Sequence, residues 1–195
     1  MNSRLSFRQY RMIDLTLFAL ILCAAETVIV KAATVWFPGQ PYTVSVVGAL
    51  TAIVLIRWDA FACIHAALGG LIFCYASGAD PARYFIYAGG NLLSLLALLP
   101  LWTLGKERVR NDSFLSVSFG LCTLLLMQTG RAAAAMILGA SARNCLGFFT
   151  TDALSLLFTG VIVWIARRLD GIFEDQKHYL LRIHQTEDGK GVYDK

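Results

Sequence analysis

Charge is nearly absent from the long apolar stretches of this chain, and that absence constrains the fold more than any other feature. Of the 17 Lys and Arg, all but Lys31, Arg83, Arg131 and Arg143 lie in the N-terminal stretch, the tail, or two connections between apolar segments. The acids divide the same way and leave Glu26, Asp80 and Asp152 apart. A charge inside hydrocarbon is costly and tends to mark a binding site or a transport route. The few that are present therefore carry most of the functional information.

The chain is 57% hydrophobic and 15% charged over 195 residues, which excludes an ordinary soluble domain. That length accommodates about six spanning helices of ~20 residues with short connections. Hydropathy and turn signals place them at about 13–34, 43–56, 60–77, 83–104, 114–138 and 144–165. The second is short, and a tilted or partly re-entrant segment fits it equally well. The predicted organisation is an all-α, six-helix membrane bundle over 13–168, with a cytoplasmic N-terminus at 1–12 and a cytoplasmic tail at 169–195. Six crossings put both termini on one side. Arg4, Arg8, Arg11, Arg57, Lys106, Arg108, Arg110, Arg167 and Arg168 then share the side that the positive-inside rule assigns to the cytoplasm. The net charge of +4 follows from this topology and does not call for nucleic acid. The first apolar segment carries Glu26 and reads as a span rather than a cleaved leader.

Counting from the outer helix ends at 1.5 Å per residue puts Glu26, Asn91, Arg131 and Asp152 at one depth, ~10–12 Å below the outer surface. Helical spacing groups Tyr84, Tyr87, Asn91 and Ser94 on one face, and Asn144, Phe148, Asp152 and Ser155 on another. Gln128 and Arg131 share a third. Aromatics interleaved with hydrogen-bonding groups suit a pocket for a flat polar ligand. Against that stands a plainer reading, in which Arg131 and Asp152 are an ion pair holding two helices together. Glu26 and Lys31 could likewise neutralise each other, and the tyrosines could form an interfacial belt. His65 reads as structural, and His178 and His184 as solvated tail residues. Small residues at Ala66xxxGly70, Gly89-Gly90, Ala132 to Ala135 and Ala19xxxCys23 mark close helix packing.

The five cysteines (Cys23, Cys63, Cys74, Cys122, Cys145) are dispersed without a CxxC pair and read as small buried hydrophobes, with no metal or cofactor expected. GxxxxGK[ST], HExxH and GxSxG are all absent. Arg167-Arg-Leu-Asp-Gly171 has part of the look of an intramembrane transferase motif but lacks its second acidic cluster. No enzyme is expected.

In size, span number, small-residue first helix and outer polar layer, the whole chain resembles the substrate-binding S components of energy-coupling factor (ECF) importers. The resemblance implies capture of a vitamin or heterocyclic micronutrient, including nucleobase-like compounds such as a queuosine precursor, at the membrane of a bacterial cell. It also implies a membrane scaffold subunit and two ATP-binding subunits as partners, with docking that tilts the helical body to deliver the ligand inward. Small residues on the first helix dock on the scaffold in that family, and Ala19-Leu-Ile-Leu-Cys23 is the nearest match, with Cys in place of the second Ala. The loop from Trp36 to Tyr42 corresponds to its gate. The implied substrate contacts are Glu26, Trp36, Tyr87, Asn91, Gln128, Arg131, Asn144, Phe148 and Asp152, with Arg143 and Asn144 at the mouth. The alternative is a structural or assembly subunit of a membrane complex with no small-molecule ligand.

Overall fold

The computed structural model describes residues 6–38 and 43–182, and these are helical with no strands. Helix α1 (Phe7–Trp36) begins at a capping box in which Ser6 and Gln9 satisfy each other's backbone N–H. Its buried residues Asp14, Phe18, Leu22, Glu26 and Val30 recur every fourth position, so one stripe faces the bundle. An irregular segment, 43–45, leads into α2 (Val47–Trp58), and all 12 residues of α2 are buried. A helix apolar on every side belongs at the centre of a bundle, and α2 is packed by α1, α3 (Ala62–Ser77), α7 (Ser113–Ile137) and α9 (Ala153–Ala166).

The remaining elements are α4 (Pro81–Asn91), a 3-10 stretch Leu92–Ala97, α5 (Leu98–Leu104), α6 (Lys106–Asn111) and α8 (Ala142–Thr150). Asp80, Asp112 and Ser141 each accept backbone N–H bonds at the helix they start. Five helical stretches are long and apolar enough to cross a membrane: Phe7–Trp36, Val47–Ser77, Pro81–Leu104, Ser113–Ile137 and Ala142–Ala166. The second is not one rod. Asp59 adopts φ 52°, and the chain reverses there so that Val47 lies against Gly69. The predicted second span is therefore α2 alone, and its 12 residues rise about 18 Å, short of the ~30 Å hydrocarbon core. Ile137 (83% exposed) and Phe114 (77%) typify an apolar perimeter that suits lipid rather than water.

One end of the bundle gathers the start of α1, the end of α2 and the residues after α9. Asp14 accepts from Arg57 Nη2 at 2.6 Å and Nε at 3.0 Å and from Trp58 Nε1, while Arg57 Nη1 donates to the carbonyls of Gly171 and Ile172. Tyr10 donates to Gln176, and Lys106 bridges Asp59 and Asp175. Residues 170–182 are thus docked, with Phe173 wholly buried, where the sequence reads as a solvated tail. The His178 ring is exposed but meets Asp175 at 3.2 Å, and His184 lies outside the described residues.

Candidate functional site

Three departures from regular α-helix meet in the opposite half of the bundle. The segment 43–45 is irregular, the chain tightens to 3-10 geometry at Leu92–Ala97, and the last long apolar stretch breaks at Thr151–Asp152 between α8 and α9. The second lies between Gly89-Gly90 and Pro100, and proline has no N–H to give the Leu96 carbonyl. Tertiary hydrogen bonds join the first and third: the N–H of Thr43 donates to the carbonyl of Thr151 at 2.9 Å, and that of Ser45 to Ser155 Oγ at 2.9 Å. Backbone that leaves the helix at membrane depth is tolerated where protein groups satisfy it or where it lines a cavity.

Asp152 is the hub. Its Oδ1 accepts from Thr43 Oγ1 at 2.9 Å and from Ser155 Oγ, and its Oδ2 from Gln128 Nε2 at 3.1 Å and Arg131 Nη1 at 3.3 Å. Arg131 Nε donates to Asn91 Oδ1 at 2.7 Å, and Asn91 Nδ2 in turn donates to the Ala66 carbonyl at 2.9 Å. The guanidinium lies 4.6 Å from the centre of the Tyr87 ring, which stacks on Phe73 and meets the edge of Phe148. Glu26 reaches the same assembly through the irregular segment: its Oε2 accepts the N–H of Val46 at 2.9 Å, at the N-terminus of α2. There the helix dipole favours a carboxylate. Glu26, Asn91, Gln128 and Ser155 are completely buried, and Arg131 and Asp152 almost so.

Glycines set the spacing. A Cβ on Gly130 would stand 2.0 Å from the carbonyl oxygen of Gly90, and one on Gly90 would meet the Arg131 backbone at 2.5 Å. A Cβ on Gly70 would strike the Tyr87 backbone at 2.7 Å. Small residues thus let α3, α4 and α7 approach closely enough for Asn91, Arg131 and Tyr87 to meet. Gly89, by contrast, has open space where a Cβ would go.

The structure brings together seven of the nine residues singled out as substrate contacts: Glu26, Tyr87, Asn91, Gln128, Arg131, Phe148 and Asp152. Trp36 is 74% exposed at the end of α1, and Asn144 is exposed in the first turn of α8, so neither joins the cluster. The rest of the predicted gate, 39–42, lies outside the described residues. Lys31 is exposed, and Glu26 turns to the Val46 N–H rather than to it. Ala19 and Cys23 are half-buried on α1. Thr43, Ser45 and Val46 take part without having been singled out as contacts. Sequence offered no signal for them beyond the shortness of the second span. His65 is buried with Nε2 3.0 Å from the Leu15 carbonyl, a structural placement. Among the described residues no cluster of three or more His, Cys, Asp or Glu could hold a metal ion.

Two acceptors inside this network lack a hydrogen-bond partner: Glu26 Oε1 and Gln128 Oε1. Gln128 cannot gain by turning its amide over, because the carbonyl would then face the Asp152 carboxylate. Fold and site together define a helical bundle, with helices long and apolar enough to cross a membrane, whose irregular segments meet around a buried arginine and two carboxylates. No protein-family model, no curated protein and no solved structure matches the chain.

Proposed function

We propose that this chain is a membrane-embedded solute-binding subunit of the ECF S-component kind, taking up a small water-soluble vitamin or heterocyclic micronutrient from outside a bacterial cell. In this reading the bundle makes six crossings, with α2 and its irregular lead-in as the second, and both termini are cytoplasmic. A membrane scaffold and two ATP-binding subunits supply the energy coupling. The observation that carries it is the meeting of three helix interruptions at one buried group of ionisable residues. Broken helices that aim backbone ends and charges at one level are how transport proteins build solute sites in hydrocarbon. The distribution of basic residues supports the orientation. Arg57, Lys106, Arg108, Arg110, Arg167 and Arg168 surround the end where the tail docks, and that end faces the cytoplasm by the positive-inside rule.

A specific observation favours a second reading. Every lone-pair direction of Asp152 that the network offers is taken by protein donors, as in an ion pair whose work is to join helices in a structural subunit. Mass spectrometry of small molecules that copurify with the detergent-solubilised protein separates the two, together with thermal shifts against a vitamin and nucleobase panel. The binding reading expects a stoichiometric heterocycle that raises the melting temperature, and Asp152→Asn that still expresses but no longer binds it. An empty protein, no response to the panel and loss of folded Asp152→Asn would favour the structural subunit.

A further inference from the structure

The buried site contains two carboxylates, Glu26 and Asp152, and one guanidinium, Arg131, so it is formally one positive charge short. Asp59, Asp80 and the acids at the end where residues 170–182 dock have their own basic partners elsewhere. Helix dipoles do not close the gap. The N-terminus of α2 offers Glu26 about half a charge, while that of α9 is offset by the C-terminus of α8 immediately before it. The same site holds two completely buried acceptors without donors, Glu26 Oε1 and Gln128 Oε1. A buried acceptor without a donor and a buried charge without a counter-charge are each costly.

A proton on Glu26 would cancel the charge and turn Oε1 into a donor, leaving Gln128 Oε1 as the acceptor still to be met. A group carrying one positive charge and at least two N–H donors supplies the charge and both donors. Tyr87, stacked on Phe73 and edged by Phe148, adds an aromatic face of the kind that attracts cations, though Arg131 already occupies part of it. From this shortfall in charge and donors we infer that the site takes an organic monocation, one presenting an ammonium or amidinium-type group to Glu26 and Gln128. The inference rests on the solute-binding reading above and narrows its ligand class from heterocycles in general to those bearing a positive charge.

The test uses the full chain in detergent, in choline chloride buffer, with probes matched in shape and differing in charge. Acetamidinium and benzamidinium are the cations, acetamide and benzamide the neutral counterparts, acetate and benzoate the anions. At saturation at least one cation is expected to raise the melting temperature by about 2 °C or more, with no response to its neutral or anionic counterpart. Glu26→Gln keeps an acceptor for the Val46 N–H while removing the charge, and is expected to abolish the response. Gln128→Met removes the second acceptor without touching the Val46 bond, and is expected to weaken the cation about tenfold. It serves as the check should Glu26→Gln not fold.

A cation response that survives both substitutions overturns the inference, as does an equal response to replacing choline by sodium. If an anion or a neutral probe stabilises the protein instead, the inference falls while the solute-binding reading stands. If no probe acts and no small molecule copurifies, both fall together.

Discussion

The bundle buries two polar networks, one at each end, and they differ in completeness. At the end where residues 170–182 dock, one carboxylate, Asp14, faces one guanidinium, Arg57. Both carboxylate oxygens accept bonds, and the spare Arg57 nitrogen reaches two backbone carbonyls. Charge and hydrogen bonds close within the protein. In the other network Glu26 and Asp152 share Arg131, and Glu26 Oε1 and Gln128 Oε1 have no donor. Both networks are equally buried, so burial alone says little about role. Closure separates them: a complete network holds a fold together, whereas an incomplete one leaves room for another molecule to finish it.

The largest expected effect comes from opening the closed network. Arg57→Met leaves the Asp14 carboxylate buried with only the Trp58 N–H and takes the side-chain donor from the Ile172 carbonyl, while the Gly171 carbonyl keeps Gln176. Breaking one side of a buried pair costs about 3–5 kcal/mol, read as a lowered melting temperature with faster proteolysis of the tail. Glu26→Gln is the counter-experiment, because it removes a charge the protein does not balance. Stability is expected to hold or rise in the ligand-free protein. Equal destabilisation by the two substitutions would remove the distinction between the networks.

A smaller effect is expected from the helix contact that sets the incomplete site. Gly130→Ala places a Cβ against the carbonyl of Gly90, where backbone must move. Overpacking of this kind costs about 1–3 kcal/mol, and it displaces Arg131 by moving the residue before it. Gly89→Ala, one position from Gly90 with open space around it, is expected to hold or raise the melting temperature, since alanine restricts the unfolded chain by about 0.5–1 kcal/mol. Thermal melts of the two variants side by side test whether close approach, rather than glycine content, builds the site.

The two networks were also unequally legible in the sequence. The incomplete one showed itself because its members are charges and amides in otherwise apolar helices, and counting from the helix ends put Glu26, Asn91, Arg131 and Asp152 at one level. Its break at Thr151 was hidden, since a long-range hydrogen bond meets it on ordinary helix-forming sequence, whereas Pro100, with no N–H for the Leu96 carbonyl, was an unread mark of the tightening at Leu92–Ala97. Trp36 was drawn in by the resemblance to a gating loop and Asn144 by its helical spacing from Phe148 and Asp152, and both are exposed outside the cluster. The closed network went unread for a different reason. Asp14 and Arg57 sit near helix ends, where charge is ordinary, and only the four-residue stripe through Asp14, Phe18, Leu22, Glu26 and Val30 told that Asp14 faces inward.

The smallest expected effect probes whether the closed network is also distributed. Lys106 Nζ bridges Asp59 and Asp175, while Arg110 and Arg182 hold Glu174 and Asp170 nearby. Burial by itself would push the Asp175 carboxyl up, but the bond and charge of Lys106 and the bonds from His178 outweigh it and hold the group below the usual range. A carboxyl depressed in the folded protein contributes stability above its unfolded value of about 3.9, and loses that contribution as pH falls through its folded value. Tail docking is therefore expected to be at full strength near neutral pH and to weaken below about pH 4, read as faster hydrogen exchange in residues 176–182 after correction for the intrinsic rate. Asp175→Asn retains an acceptor for the N–H groups of Lys177 and His178 but gives up its charge to Lys106. It is expected to flatten that pH dependence, while the ion pairs of Glu174 and Asp170 with Arg110 and Arg182 keep the tail docked. A network of several pairs loses one and keeps its shape. The other network has one hub, Asp152, and no such reserve.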